Sequence, residues 1–351
     1  MTLNENMSKT QTKHERVTLL KRTIEKVLAD FIPKFDSFSL LDFPDHPNVG
    51  DSAIWLGETK YFLEQHGKHP SLVTAITRHS IDDTVRNLPD GPIFLHGGGN
   101  FGDVYPEHHA WREELLRRTK GHQVIQLPQS LYFKDMGRMA QTARAIAEHG
   151  NFSMLVRDHK SLEFAKQHFD CRVELCPDMA FILGPIERPV REKVDIFCLM
   201  RTDDEKIGYD AASTGSSGNL RYESSDWLQE DAAKIERLRH PDHLTRLKAA
   251  RWGALRRSNY RNFGFHLMAT DRLDRGLAML SSGRWVLTDR LHAHILSTLL
   301  GLNHVVLDNS YGKLSSFIEA WTANTEGVFT MKTPEDAFRF ISAELNRDSR
   351  A

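Results

Sequence analysis

Trp285-Val286-Leu287-Thr288-Asp289-Arg290-Leu291-His292-Ala293-His294 is the stretch on which the fold turns. Its first three residues are an apolar run that reads as a buried strand. Its end leads into Ile295-Leu296-Ser297-Thr298-Leu299-Leu300, an apolar helix that stops at Gly301. An arginine and two histidines therefore sit where a parallel strand gives way to a helix. Ligands of open α/β sheets bind at that edge. The first N–H groups of a helix lack internal partners and favour anions. Arg290 adds a planar fork of donors suited to phosphate or carboxylate. A small, strongly anionic ligand is expected there.

Outward from this stretch, strand-like and helix-like segments alternate. Thr18–Phe31 reads as an amphipathic helix. Strands are expected at Phe38–Phe43, Leu72–Ile76, Ile93–His96, Gln123–Leu127, Phe152–Val156 and Val173–Leu175. Between them, helices are expected at Ser52–Gln65, Pro106–Thr119, Met136–Glu148 and Ser161–His168. Such alternation predicts a parallel sheet covered by helices. Gly184-Pro185-Ile186-Glu187-Arg188-Pro189 breaks the rhythm and is the candidate linker. A second set follows, with strands Val194–Met200, Trp285–Thr288 and His304–Leu307 and helices Phe265–Leu280, Ala293–Leu300 and Leu314–Thr322. The expected domains are 1–185 and 186–330, with a helix in 331–351 that can pack back onto the first domain.

Bulk properties narrow the function. With 351 residues, two domains are expected. A net charge of −1 excludes a whole-chain nucleic-acid binder. Cys171, Cys176 and Cys198 show no metal-type spacing, so no metal site is expected and the thiols read as reduced, as in the cytoplasm. The polar start, Met1 to Glu15, lacks the apolar core of a signal peptide. The segment from Lys234 to Arg261 is basic, with Arg246, Lys248, Arg251, Arg256 and Arg257 among its charges. It reads either as a solvated amphipathic helix on the second domain or as a patch for anionic lipid head groups. Ala211 to Gly218 reads as a mobile Ser/Gly-rich loop.

Further candidate chemistry lies at other strand ends. Asn48-Val49-Gly50-Asp51-Ser52 follows the first strand. Gly50 can take a positive φ, and Asp51 or Ser52 can cap the next helix. Asp51 also lies where a general base for a sugar hydroxyl is wanted. His96-Gly97-Gly98-Gly99-Asn100-Phe101-Gly102-Asp103 reads as a binding loop, neither a Walker loop nor a dinucleotide fingerprint. His96, Asn100 and Asp103 can orient hydroxyls from it. For Arg157 and Asp178, structural ion pairing and a direct role both remain open. Arg201 ends the first strand of the second domain and can face Arg290 across one pocket. His292 reads as functional from its junction, His294 as a packing or site residue, and His108 and His109 as surface residues.

Together these motifs resemble the polysaccharide pyruvyl transferase family. Asn48-Val49-Gly50-Asp51, Gly97-Gly98-Gly99-Asn100, Pro128-Gln129-Ser130, Arg157-Asp158, Cys176-Pro177-Asp178 and Asp289-Arg290-Leu291-His292 fall in order from about Phe38 to about Trp321. The resemblance implies an α/β fold of two Rossmann-like domains in a GT-B-like arrangement, with the donor site in the interdomain cleft. It implies phosphoenolpyruvate as co-substrate, no other cofactor, and a sugar acceptor that is often a lipid-linked oligosaccharide, so that peripheral membrane contact is expected of a cytoplasmic protein. Arg290, Leu291 and His292 are then donor residues, and Arg201 matches a second donor arginine by position. His292 is the acid or phosphate ligand, Asp51 or else Asp103 the base, and Asn48, Gly98, Gly99 and Asn100 line the substrate site. A GT-B glycosyltransferase using a nucleotide sugar and an inert assembly scaffold are the competing readings.

Overall fold

The computed structural model describes residues 10–201, 220–240, 242, 259–307 and 313–348. The chain divides into two compact units, each built on a parallel sheet. The first covers Lys21–Ile182 and Glu230–Asp271; the second comprises the described residues of Met1–Leu20, Leu183–Gln229 and Arg272–Ala351. Among the described residues, no helix is long and apolar enough to cross a membrane.

The first sheet contains β1 (Ser39–Leu41), β2 (Leu72–Thr74), β3 (Ile93–Leu95), β4 (Gly98–Gly102), β5 (Val124–Tyr132), β6 (Phe152–Val156) and β7 (Arg172–Leu175). Its order is β2-β1-β3-β5-β6-β7, with β4 also paired to β5 and every pairing parallel. The strands β1, β3 and β6 are buried along their whole length, because helices cover both faces. One face packs Leu41, Leu95 and Met154 against Leu115, Ile146 and Ala165 of three helices. On the other, Phe38 and Phe94 meet Phe62 with ring centroids 4.4 and 4.6 Å away. The order reverses at β1, whose neighbours β2 and β3 both follow it in sequence. That crevice, at the carboxyl ends of β1 and β3, is where such sheets bind ligands.

The second sheet runs β12-β11-β10-β8-β9, again parallel throughout, from β8 (Val194–Leu199), β9 (Tyr222–Ser225), β10 (Gly283–Thr288), β11 (Asn303–Leu307) and β12 (Val328–Met331). Here the order reverses at β8, between β9 and β10. The terminal helix Pro334–Asp348 places Ala337, Phe338, Ile341 and Leu345 in this sheet's core, against Ile196, Trp285 and Val305. The described part of the basic segment departs from the expected association with the second domain. Helix Ala232–Arg239 and the described residues from Asn259 to Asp271 cluster with the first sheet. There Arg239 pairs with the buried Asp45 at 3.1 Å, and Phe265 meets Phe43 with centroids 4.4 Å apart. Arg246, Lys248, Arg251, Arg256 and Arg257, and the stretch from Ala211 to Gly218, lie outside the described residues.

One buried histidine pair is purely structural. His304 donates from Nδ1 to the Leu302 carbonyl at 2.9 Å, so its Nε2 accepts from His294 Nδ1 at 2.8 Å. The Nε2 of His294 then accepts from Thr322 Oγ at 2.9 Å. Protonating either ring sets N–H against N–H. Burial, reinforced by the neighbouring charge, holds His294 well below the usual histidine range, and burial holds His304 at about 4. Above a histidine's ordinary value neither state binds these protons. As pH falls below it, the unfolded chain takes them up and the core does not. Stability should therefore fall from pH ~6.5 towards pH ~4 by at most about 1.4 kcal/mol per pH unit for each ring. Urea midpoints of wild type and His304→Gln across that window test this. Parallel curves would show that the pair does not titrate as described.

Candidate functional site

In the second unit, Arg201 follows β8, Asp226 follows β9, and Asp289-Arg290 follow β10, so all three strands bring charge to the edge where the order reverses. Arg290 is the N-cap residue of helix Leu291–Leu299. Its N–H donates to Thr288 Oγ at 3.0 Å, while that hydroxyl donates to the Leu199 carbonyl at 2.6 Å, tying the ends of β10 and β8. Asp289 Oδ1 accepts the Arg201 N–H at 2.9 Å. Burial pushes the Asp289 carboxyl up, against the opposing pull of that N–H and of the Arg290 and Arg201 charges. The Arg290 guanidinium donates from Nη2 to Asp226 Oδ2 at 2.6 Å, with both side chains buried. His292 is buried in the first helical turn, and Leu291 packs against Val306, Leu314 and Ile318. His294 belongs to the core pair and not to this edge.

In the first unit the expected helix start is corrected. Helix Val49–His66 begins three residues before Ser52. Asn48 is its cap, accepting the Gly50 N–H at 3.0 Å, so neither Asp51 nor Ser52 caps it. Gly50 is helical and does not take the positive φ expected of it. Freed from capping, Asp51 is partly exposed. Its Oδ2 accepts from Asn48 Nδ2 at 2.8 Å and lies 3.6 Å from His46 Nε2.

The glycine stretch is also corrected: Gly98–Gly102 is a strand, not a loop. Gly97 and Gly102 are required by packing on β5. A Cβ at Gly97 would lie 2.6 Å from the Pro128 carbonyl oxygen, and one at Gly102 would lie 1.8 Å from that of Tyr132. Gly98, at φ 119°, faces Asp51 Oδ1 (3.4 Å from the position of a Cβ) and Gln129 Oε1 (3.7 Å), and Gly99 faces Arg157 Nη2 (3.3 Å). The strand thus brings Asn48, Asp51, Gly98, Gly99 and Asn100 to one end of the sheet. Asp103 is spent elsewhere: its carboxylate accepts the N–H groups of Lys134 (2.8 Å) and Asp135 (2.7 Å), which hold it below the usual range against burial.

Behind this edge lie polar groups that the sequence reading did not pair. Glu58, fully buried, bonds His96 Nδ1 at 2.8 Å and accepts the Gly97 N–H at 2.8 Å. Burial pushes the Glu58 carboxyl up despite His96, whereas His96 is raised because Glu58, Asp51 and Asp42 outweigh its own desolvation. Arg157 and Asp178 form a buried ion pair at 2.6 Å, the structural pairing that the sequence allowed for them. Asp226 also went unseen. Its partner is 64 residues away in sequence, and an Asp before a Trp carries no pattern.

The sequence matches the profile of the polysaccharide pyruvyl transferase family over residues 48–311. Pyruvyl transferase 1 of Schizosaccharomyces pombe is 32% identical over 323 residues, covering 87% of this chain and 74% of that protein. A Bacillus subtilis protein provisionally named pyruvyl transferase EpsO is 30% identical over 324 residues, covering 90% of this chain and 93% of that protein. A protein of uncharacterised function from Klebsiella pneumoniae, known from its crystal structure, shares the fold with a TM-score of 0.59 at 17% identity, over 90% of this chain and 99% of that one.

Proposed function

Because this chain belongs to the polysaccharide pyruvyl transferase family, we propose that it transfers the enolpyruvyl group of phosphoenolpyruvate to a sugar of an exopolysaccharide or cell-surface glycan precursor and closes it into a pyruvate ketal. The observation that carries this reading is the second sheet's edge at the β8/β10 reversal, where Asp289 accepts the Arg201 N–H and Arg290 is the N-cap residue of helix Leu291–Leu299. Two arginines at such an edge, one of them opening a helix, suit a donor that presents both phosphate and carboxylate.

In this reading the methylene carbon of the donor gains a proton, with His292 as its acid or as a phosphate ligand. One sugar hydroxyl attacks the resulting cationic carbon and gives its proton to Asp51. Phosphate leaves with its bonding electrons, and a second hydroxyl closes the ring. Asn48 holds the Asp51 carboxylate in place through its amide. The reaction takes place in the cytoplasm, at the inner face of the membrane when the acceptor is lipid-linked.

Thermal-shift titration with phosphoenolpyruvate, beside phosphate and UDP-sugars, tests this. A ligand that binds only the folded state raises the melting temperature by mass action. Phosphoenolpyruvate should stabilise the wild type, and Asp51→Asn should keep that shift while turnover falls. Stabilisation by a UDP-sugar alone would replace this reading with a glycosyltransferase.

A further inference from the structure

We propose that His108, oriented by the buried carboxylate of Asp42, is a second general base of the first sheet and takes the proton of an acceptor-sugar hydroxyl as that oxygen bonds to the central carbon of the donor. This rests on the pyruvyl-transfer reading.

Asp42 follows β1 directly, at the reversal of the first sheet. It is 2% exposed and adopts φ 68°, the one positive φ of a non-glycine residue among the described residues. Such backbone strain persists only where the surroundings over-determine it, and it gathers at functional sites. Here it turns the carboxylate onto His108, whose Nδ1 donates to Asp42 Oδ2 at 2.9 Å. Burial pushes the Asp42 carboxyl up, and the hydrogen bond and charge of His108, with the charges of Arg112 and His96, outweigh it and hold it below the usual value.

The dyad is itself held. Arg112 Nη2 and Gln129 Nε2 both donate to the Asn100 amide oxygen, at 3.0 and 2.8 Å, which fixes that amide with its nitrogen 3.4 Å from Asp42 Oδ2 and 3.2 Å from His108 Nδ1. Arg112 is buried, 3.9 Å from the Asp42 carboxylate, and lies over the Phe101 ring at 4.7 Å. A buried carboxylate on Nδ1–H selects the tautomer whose Nε2 carries a lone pair, the arrangement that makes a histidine a general base for hydroxyls. Among the described residues that Nε2 makes no hydrogen bond, and the side chain is 20% exposed. Beside it stands Tyr105, 43% exposed, its ring centroid 6.4 Å from that of His108 and nearly perpendicular to it. An exposed aromatic face next to polar groups suits a sugar ring, which is apolar on one side and wet at its edge.

A solvated surface ion pair explains less. Such a pair adds little to stability and needs neither a buried carboxylate nor a strained backbone. The chemistry also calls for two bases. Ketal formation makes two C–O bonds and frees two hydroxyl protons. One proton replaces that taken up by the methylene carbon, and the other leaves with phosphate or solvent. Asp51 can receive one hydroxyl's proton, and His108 receives the other on Nε2.

The test compares full-length wild type, His108→Gln, Asp42→Asn and Arg290→Ala in phosphate release from phosphoenolpyruvate with a panel of methyl hexopyranosides, alongside the phosphoenolpyruvate thermal shift. His108→Gln should lower kcat about 10²- to 10⁴-fold and leave the thermal shift intact. In Asp42→Asn, asparagine tolerates the positive φ but its amide supports the wrong tautomer, so kcat should fall comparably with the fold retained. Turnover of His108→Gln within about threefold of wild type would overturn the proposal, since a general base contributes far more. If Arg290→Ala is inactive while His108→Gln is not, this inference alone falls. If the wild type releases no phosphate with any sugar, the pyruvyl-transfer reading fails and takes the base with it.

Discussion

Arg290→Ala is expected to abolish stabilisation by phosphoenolpyruvate and to lower turnover about 10²- to 10³-fold or more, the usual cost of one preorganised charge donor in an active site. The same substitution should also lower stability, for a reason invisible in the sequence. It strands the Asp226 carboxylate, which is 2.6 Å from the guanidinium and buried with it. Breaking a buried pair by removing one partner costs about 3–5 kcal/mol. The two effects are separable. Arg290→Ala combined with Asp226→Asn removes the stranded charge, so its urea midpoint should recover while donor binding stays lost. Arg290→Lys keeps the charge but not the planar fork, and should bind the donor weakly. A double variant that regains the phosphoenolpyruvate shift would show that Arg290 serves only to neutralise Asp226.

Asp178→Ala is expected to cost about 3–5 kcal/mol of stability, because it leaves Arg157 in a buried position without its carboxylate. Asp178 Oδ2 lies 2.6 Å from Arg157 Nη1, and its Oδ1 accepts the Ala180 N–H at 2.9 Å. Arg157 Nε in turn donates to Ser130 Oγ at 2.9 Å, and that hydroxyl donates to Asp158 at 2.7 Å. One chain of polar contacts thus links the ends of β5, β6 and β7, and cutting it at Asp178 loosens all three. Urea denaturation of the variant checks this. An unchanged midpoint with selective loss of turnover would return Asp178 to a direct role.

Much of the fold was legible because parallel strands buried on both faces leave apolar runs. Phe152–Val156 was read to the residue, and the remaining strands expected in the first sheet were located to within a few residues, the largest difference being the extension of β5 to Tyr132. Less visible were strands that break this rule. β4 is mostly glycine, with Gly102 pressed against β5, and therefore lacks an apolar signature and reads as a loop. The strands β9 and β12 lie at the sheet's edges and are half-exposed, so they lack a continuous apolar signature.

At the site, the contrast follows sequence distance. Asn48, Asp51 and the Arg290–His292 segment were found because strand and helix signals flank them. The partners that set their chemistry, Asp226 for Arg290 and Asp42 for His108, lie 64 and 66 residues away. Asp42 was masked further by its neighbours. With Phe38 to Phe43 read as one strand, its carboxylate became just another strand residue, and no pattern marks a single left-handed φ. His108, on a helix with an ordinary polar surface, was read as solvated for the same lack of a local signal.

The strands β3 and β4 lie end to end along the single strand β5, pairing with Val124–Gln126 and then with Gln129–Tyr132. Only His96 and Gly97 separate them, and Gly97 is pressed against the Pro128 carbonyl. β5 therefore works as a ruler for this part of the chain. One extra residue between Leu95 and Gly98 would turn each side chain of β4 to the opposite face, because strand side chains alternate with a period of two. Asn100 would then point away from Gln129 and Asp42. From Ile93 to Gly102 the chain is fixed in length as well as in Gly97 and Gly102, so insertions that reshape this edge must enter after Asp103, in the loop that carries Tyr105.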